Sequence, residues 1–268
     1  MKYARPVSIG MLAVVAISCL LAGYIAPGGY ANQFREAPNA APSRAHWLGT
    51  DDLGRDRFAR LVYGTRISLL LAPAAALLST LLSALIGGAA GFLGGAWQKF
   101  AMAVTDLFLS LPWLFLLITV RAVLPLNVSP LTSVTVTFLL LGMLGWAASA
   151  RVICASAVSM RTSDFALQAR ALGVRPWRLA LRYILPNLKP ILLAQFWISV
   201  PVFILSEANL GVLGLGVAEP LPSWGSLLRE LESLATFSGE WWKFAPLIVL
   251  LLVVGNFEVL LSKSEVAA

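Results

Sequence analysis

Six apolar runs, each about the length needed to cross a bilayer, limit the folds open to this chain more than any other feature. They are approximately Val7–Ala26, Ile67–Leu93, Met102–Val120, Leu131–Val158, Ile191–Asn209 and Phe244–Leu261. A hydrocarbon core about 30 Å thick takes about 20 apolar residues per helical span. Lipid offers the backbone no hydrogen bonds, so such runs must be helices or strands of a closed barrel. The two-residue alternation of barrel strands is missing, which leaves helices. Composition agrees, with 59% hydrophobic and 12% charged residues against about 25% charged in soluble domains. The reading is an all-α membrane protein with six transmembrane helices. The run Leu131–Val158 exceeds one span, and its last part is expected to leave the bilayer. Val7–Ala26 has the basic start and small final residues of a signal peptide, but five later runs make it the first transmembrane helix.

The net charge of +7 reports topology rather than nucleic-acid binding, because basic residues accumulate in cytoplasmic loops. The segment 164–190 carries Arg170, Arg175, Arg178, Arg182 and Lys189 with one acid, Asp164. The loop 27–66 mixes its arginines with Glu36, Asp51, Asp52 and Asp56. This places 164–190 and both termini, with Lys2 and Lys263, in the cytoplasm. Lys99 and Arg151 fall on the same side, and Arg121, Arg229 and Lys243 fall outside. The expected division is 1–66, a first transmembrane helix and outer loop, and 67–268, a core transmembrane domain with a cytoplasmic loop at 159–190. The outer loop is read as mostly irregular, with a short helix near Arg55–Tyr63. A second outer loop, Leu210–Lys243, holds Gly211, Gly214, Gly216, Pro220, Pro222 and Trp224 and is expected to dip against the bundle.

The polar segment Asp164–Pro190 spells out a short helix, a break at Gly173, a basic helix and an Ile184-Leu185-Pro186 stop. Crossing a bilayer requires no such loop, so it reads as a docking element for a soluble partner. Ala169 is small enough for close approach to a partner groove, and Gly173 permits a chain reversal. The arginines have a second reading as headgroup contacts with membrane lipid.

The chain has no P-loop, no HExxH and no cysteine–histidine pairing, and its span serines have no histidine partner, so it reads as a conduit without cofactor or metal rather than an enzyme. Cys19 and Cys154 are read as packing residues. The glycines Gly87, Gly88, Gly91 and Gly142 are read as close helix contacts. Acids within spans are functional candidates, and Asp106, Glu207 and Glu258 qualify. A proton relay is disfavoured because no basic residue is read near mid-membrane. Asp106 and Glu207 are therefore assigned structural or gating roles, such as accepting hydrogen bonds from loop backbone; Glu258 gets none. Pro73, Pro112 and Pro201 are expected to kink their helices.

Three segments, taken in order, carry a resemblance. They are His46-Trp-Leu-Gly-Thr-Asp-Asp-Leu-Gly-Arg-Asp56 with Arg60–Leu69, the loop 164–190, and Glu207–Gly216 leading into Pro220-Leu-Pro-Ser-Trp-Gly225. Together they resemble the membrane subunit of a binding-protein-dependent ABC importer, nearest to the C-type permeases of dipeptide, oligopeptide and nickel systems. The resemblance implies a type I importer permease fold, two ABC ATPase subunits, a homologous second permease and an external solute-binding protein, in the cell inner membrane. It implies import of peptides, nickel or a similar small solute, powered by the ATPases. The family's Glu-Ala-Ala…Gly coupling helix maps onto Leu167, Gln168, Ala169 and Gly173, with Leu167 in place of the usual glutamate and Gln168 in place of the first alanine. By the same resemblance Phe165, Arg170, Ala171, Leu172 and Pro186 belong to the ATPase-coupling element. Asp106, Glu207, Gly214 and Gly216 fall at gating or structural positions, and 47–66 with 211–225 would face the binding protein. The substrate-binding residues are left open.

Overall fold

The structure is a computed structural model that describes residues 4–123, 128–232 and 240–262. Lys2, Lys263 and part of the second loop, 233–239, lie outside the described residues. Those described are helical, apart from loops and two isolated bridges, Gln33 with Arg55 and Thr50 with Asp56. The chain divides into two compact units. The first comprises Met1–Ala72, Arg121–Phe138 and Pro201–Ala268, the second Pro73–Val120 and Leu139–Val200.

In the first unit, α1 (Ala4–Leu20) breaks briefly and continues as α2 (Ala22–Ile25). Helix α1 packs along α12 (Ala245–Ser262). The long loop after α2 ends at Asp56, whose Oδ1 accepts the amides of Phe58 (2.8 Å) and Ala59 (3.1 Å). A carboxylate in this position satisfies the free N–H groups of a helix start. Helix α3 therefore begins at Arg57 and runs without interruption to Leu93. The short helix expected near Arg55–Tyr63 is the first part of this long one. Nothing after the Asp56 cap stops it, since Gly64 is tolerated inside a helix.

In the second unit, α4 (Gly95–Ser110) and α5 (Trp113–Val123) are bent by 82° at Leu111-Pro112, where the proline removes a backbone donor. Helix α6 (Pro130–Leu144) begins in the first unit and ends in the second, and α7 (Trp146–Arg161) follows in the second. The later turns of α3 pack closely on α7. A Cβ on Gly87 would lie 2.2 Å from the carbonyl oxygen of Ala150, and one on Gly91 would lie 2.6 Å from Ala157 Cβ. The small residues thus serve packing at these two positions, as their sequence suggests. Cys154 is buried beside Ala90 and Ala101, Cys19 is buried in the first unit, and both are free thiols.

The loop after α7 contains α8 (Asp164–Ala171), α9 (Pro176–Leu179), a π-helical turn Ala180–Ile184 and then α10 (Leu185–Val212). The Ile184-Leu185-Pro186 sequence is not a stop, since helix continues through it to Val212. Pro186 lies in the first turn of α10, and the preceding turn is widened so that the Leu185 N–H bonds to Ala180 O. A proline lacking its N–H is tolerated where that donor is not required.

Among the described residues, four helical stretches are long and apolar enough to cross a membrane: Arg57–Leu93, Pro130–Arg161, Pro176–Val212 and Trp241–Ser262. The bent pair α4–α5 makes a fifth if taken as one span, and Arg5–Leu20 is a shorter apolar helix.

Candidate functional site

Two polar assemblies stand out, one in each unit. The first-unit assembly joins the loop before α3 to the loop after α10. Asp51, fully buried, accepts Arg55 Nε at 2.6 Å and the Arg55 amide at 2.7 Å. Arg55 also reaches Glu219 at 2.5 Å. Arg60, also fully buried, lies 3.0 Å from Glu219, 3.6 Å from Asp51 and 3.7 Å from Glu230. Arg57 pairs with Glu230. Three guanidinium groups thus meet three carboxylates. Burial pushes Glu219 up, but hydrogen bonding to Arg60 and the charges of Arg60 and Arg55 outweigh it and hold the carboxyl below its ordinary value. For Glu230, burial wins over the attraction of Arg57 and Arg60, and its carboxyl is pushed up.

Beneath this network, Trp224 is fully buried and donates its indole N–H to Thr65 Oγ1 at 3.0 Å. Ser223 caps α11 (Trp224–Arg229) through a reciprocal pair with Ser226. Glu207 is fully buried on α10 and accepts from Ser68 Oγ at 3.3 Å. The Gly225 amide lies beside its carboxyl. Helix α10 ends at Val212 and is closed by Gly214, whose φ is +76°. The Gly214 N–H bonds Gly211 O at 2.9 Å and the Leu215 N–H bonds Leu210 O at 2.8 Å, the two bonds of a Schellman cap. The Gly216 carbonyl accepts from Arg121 at 3.4 Å.

Charge counting puts Arg121 on the outer side without assigning it a contact. It lies in the last turn of α5, 1% exposed, donating to Ser133 Oγ at 3.1 Å. Among the described residues no carboxylate lies within ion-pair distance of it. The signal was present in the sequence, since Arg121 directly follows the apolar run ending at Val120.

The second-unit assembly is the loop 162–190. Ala166 and Ala169 point inward, into a cluster with Ala157, Leu179, Ile184 and Leu188. Ala169 is thus small because its own chain leaves no room, which corrects the reading that it faces a partner groove. Phe165, Leu167, Gln168, Arg170, Ala171 and Leu172 are exposed. Leu172 is 84% exposed and Leu167 52%. Helix α8 also ends in a Schellman cap, with Gly173 N–H to Arg170 O at 2.9 Å and Val174 N–H to Ala169 O at 3.0 Å. Gly173 has φ +77°, and nothing lies within 4 Å of where its Cβ would be. Arg170, Arg175, Arg178 and Arg182 are all exposed, and Arg178 stacks over Trp177. No ion pair involves these four arginines among the described residues. Pro186 is exposed in the first turn of α10.

Asp106 is not alone. Its Oδ1 lies 2.8 Å from an Arg151 nitrogen, joining α4 to α7. Arg151, placed at the cytoplasmic end by charge counting, lies ten residues before the end of α7 at Arg161. Arg151 falls within the long helical stretch Pro130–Arg161, as it falls within the apolar run Leu131–Val158 of the sequence.

Known proteins resemble this chain over most of its length. The family model described as binding-protein-dependent transport system inner membrane component matches residues 79–260. The dipeptide transport system permease protein of Bacillus subtilis (strain 168) is 30% identical over 93% of this chain and 76% of its own length. The oligopeptide transport system permease protein of the same organism is 33% identical over 81% and 69%. A glutathione transport system permease protein of Pectobacterium atrosepticum is 32% identical over 85% and 74%.

Proposed function

This chain belongs to the binding-protein-dependent transport system inner membrane component family, and from that premise we propose how it works as a permease subunit of an ABC importer of peptides. The substrate follows the names of its relatives, which transport dipeptides, oligopeptides and glutathione. The bundle has six spans, with α1–α2 as the first and the bent α4–α5 pair as the third. Both termini and the loop 162–190 face the cytoplasm. Two ATPase subunits, a second homologous permease and an external solute-binding protein complete the transporter. The chain itself hydrolyses nothing.

The observation that carries the coupling role is the two-faced build of α8. Its alanines Ala166 and Ala169 anchor it to the unit's own core, while Phe165, Leu167, Gln168, Arg170 and Leu172 face outward. A helix rooted on one side and free on the other transmits a partner's motion into α7 and α10. Nucleotide then shifts the population between inward- and outward-open bundles. In the first unit the ion network fixes the loops, leaving Trp47 and Leu53 exposed for the binding protein. Asp106, Glu207, Gly214 and Gly216 hold gating or structural positions.

Gly173→Trp tests the loop. Its Cβ position is open, so the variant still inserts, though with some backbone strain, and the indole blocks the partner's approach. The expected result is a stable, membrane-inserted chain with transport lost. Normal transport would remove the coupling assignment.

A further inference from the structure

The second unit holds an apolar groove of about 180 Å³ between the last turns of α3 and the start of α10. Ala84, Gly88 and Phe92 of α3, Ile153 of α7 and the exposed Leu181 and Leu185 line it, and its other lining residues are apolar too. Two local features open it. Gly88 has nothing within 4 Å of where its Cβ would be, so the absent side chain leaves space along this wall. The facing wall is built partly by the π-helical turn Ala180–Ile184, and widened turns of this kind are frequent at functional sites.

The same element carries cations beside the groove. Arg178 stands three residues before Leu181, Arg182 three before Leu185, and Lys189 four after Leu185, spacings that make neighbours on a helix surface. All three are exposed, and none has an ion-pair partner among the described residues. Arg182 and Lys189 are also the last cations before the apolar run Ile191–Asn209. The groove extends along this element from Ala180 to Leu192, so it straddles the point where charge gives way to span. Trp177, exposed beneath Arg178, is a residue type that collects at membrane–water interfaces.

We propose that this groove binds one anionic phospholipid from the leaflet beside the loop 162–190. An acyl chain lies over Gly88 and against Leu181 and Leu185, and the headgroup phosphate meets Arg178 and Arg182. Basic pockets between membrane helices hold anionic headgroups by this pairing. Size and chemistry disfavour other occupants. A helix with its side chains is about 10–12 Å across and overfills the groove, and no polar side chain lines it to receive a peptide backbone. The site depends on neither the peptide substrate nor the coupling role of α8.

The test uses the full complex, purified with its co-purifying subunits, in nanodiscs of phosphatidylglycerol and phosphatidylethanolamine in equal parts. Phosphatidylglycerol with a photoreactive diazirine in its acyl chain is expected to label segments 84–92 and 181–192. The matched phosphatidylethanolamine should label them several-fold less. Gly88→Leu, whose Cβ starts in open space, fills the groove and should abolish that labelling. Arg178→Gln combined with Arg182→Gln should lower labelling by phosphatidylglycerol roughly tenfold and leave that by phosphatidylethanolamine unchanged. Equal labelling of the wild-type complex by the two lipids overturns the anionic site and requires no variant. Labelling that survives Gly88→Leu overturns the groove as its location. Disulfide crosslinking of Leu185→Cys to another subunit, without lipid labelling, assigns the groove to a protein interface and also overturns the proposal.

Discussion

The loops packed around Arg60 and the loop around Gly173 use charge in opposite ways. In the first, three arginines and three carboxylates are tied together, and Arg60 and Asp51 are fully buried. In the second, four exposed arginines have no ion-pair partner among the described residues. Buried charges that are paired from one side only are expensive, so the first arrangement fixes loop geometry and would not survive the loss of a member. Exposed charges cost little and add little to stability, so the second is free to serve a partner. On the coupling proposal, the first serves stability and the second serves function.

The largest expected effect comes from breaking the network. Arg60→Met leaves Asp51, Glu219 and Glu230 short of a cation, and loss of one partner from a buried charge cluster costs about 3–5 kcal/mol. Thermal unfolding in detergent should show a large drop in midpoint or failure to accumulate; an unchanged midpoint would mean the network is not structural. Next is Gly211→Ala. Its Cβ would lie 2.3 Å from Gly225 Cα, and overpacking of this kind costs about 1–3 kcal/mol. Gly173→Ala meets no neighbour but must adopt φ +77°, which costs about 1–2 kcal/mol. It should reduce stability less than Gly211→Ala, and comparing both unfolding midpoints tests that order.

Acid should loosen the network through Glu219. A carboxyl held below its unfolded value, as Glu219 is, contributes stability that is present above the unfolded value of 4.5. That contribution is lost as the pH falls through the lower folded value. Glu230, pushed up by burial, works in the opposite sense and gains relative stability as it takes up its proton. Glu219→Gln should therefore remove part of the stability loss seen below about pH 4.5, measured as unfolding midpoint against pH. The smallest effect is expected from Leu167→Glu, which installs the family's acid on an exposed face. Stability should change by less than about 0.5 kcal/mol, and any change should appear in ATPase stimulation.

The helices were legible because apolar runs of fixed length leave one way to satisfy the backbone. The break at Gly173 was legible too, since a helix ending in a left-handed residue favours glycine. Contacts between distant residues were not. Glu219 lies 159 positions from Arg60, and no local pattern announces their meeting. Charge counting sorts Arg121 and Arg151 by side and says nothing of their contacts; one is buried against Ser133 and the other pairs across two helices. The inward face of Ala169 was missed because α8 is too short for its periodicity to reveal which side meets the core.

The most direct test places a photo-crosslinking residue at Leu172 in native membranes, with a second at Leu53 as the contrast. The coupling account predicts that position 172 captures a P-loop ATPase in a nucleotide-dependent manner and that position 53 does not. Capture of no ATPase at 172, or equal capture at both positions, would contradict it.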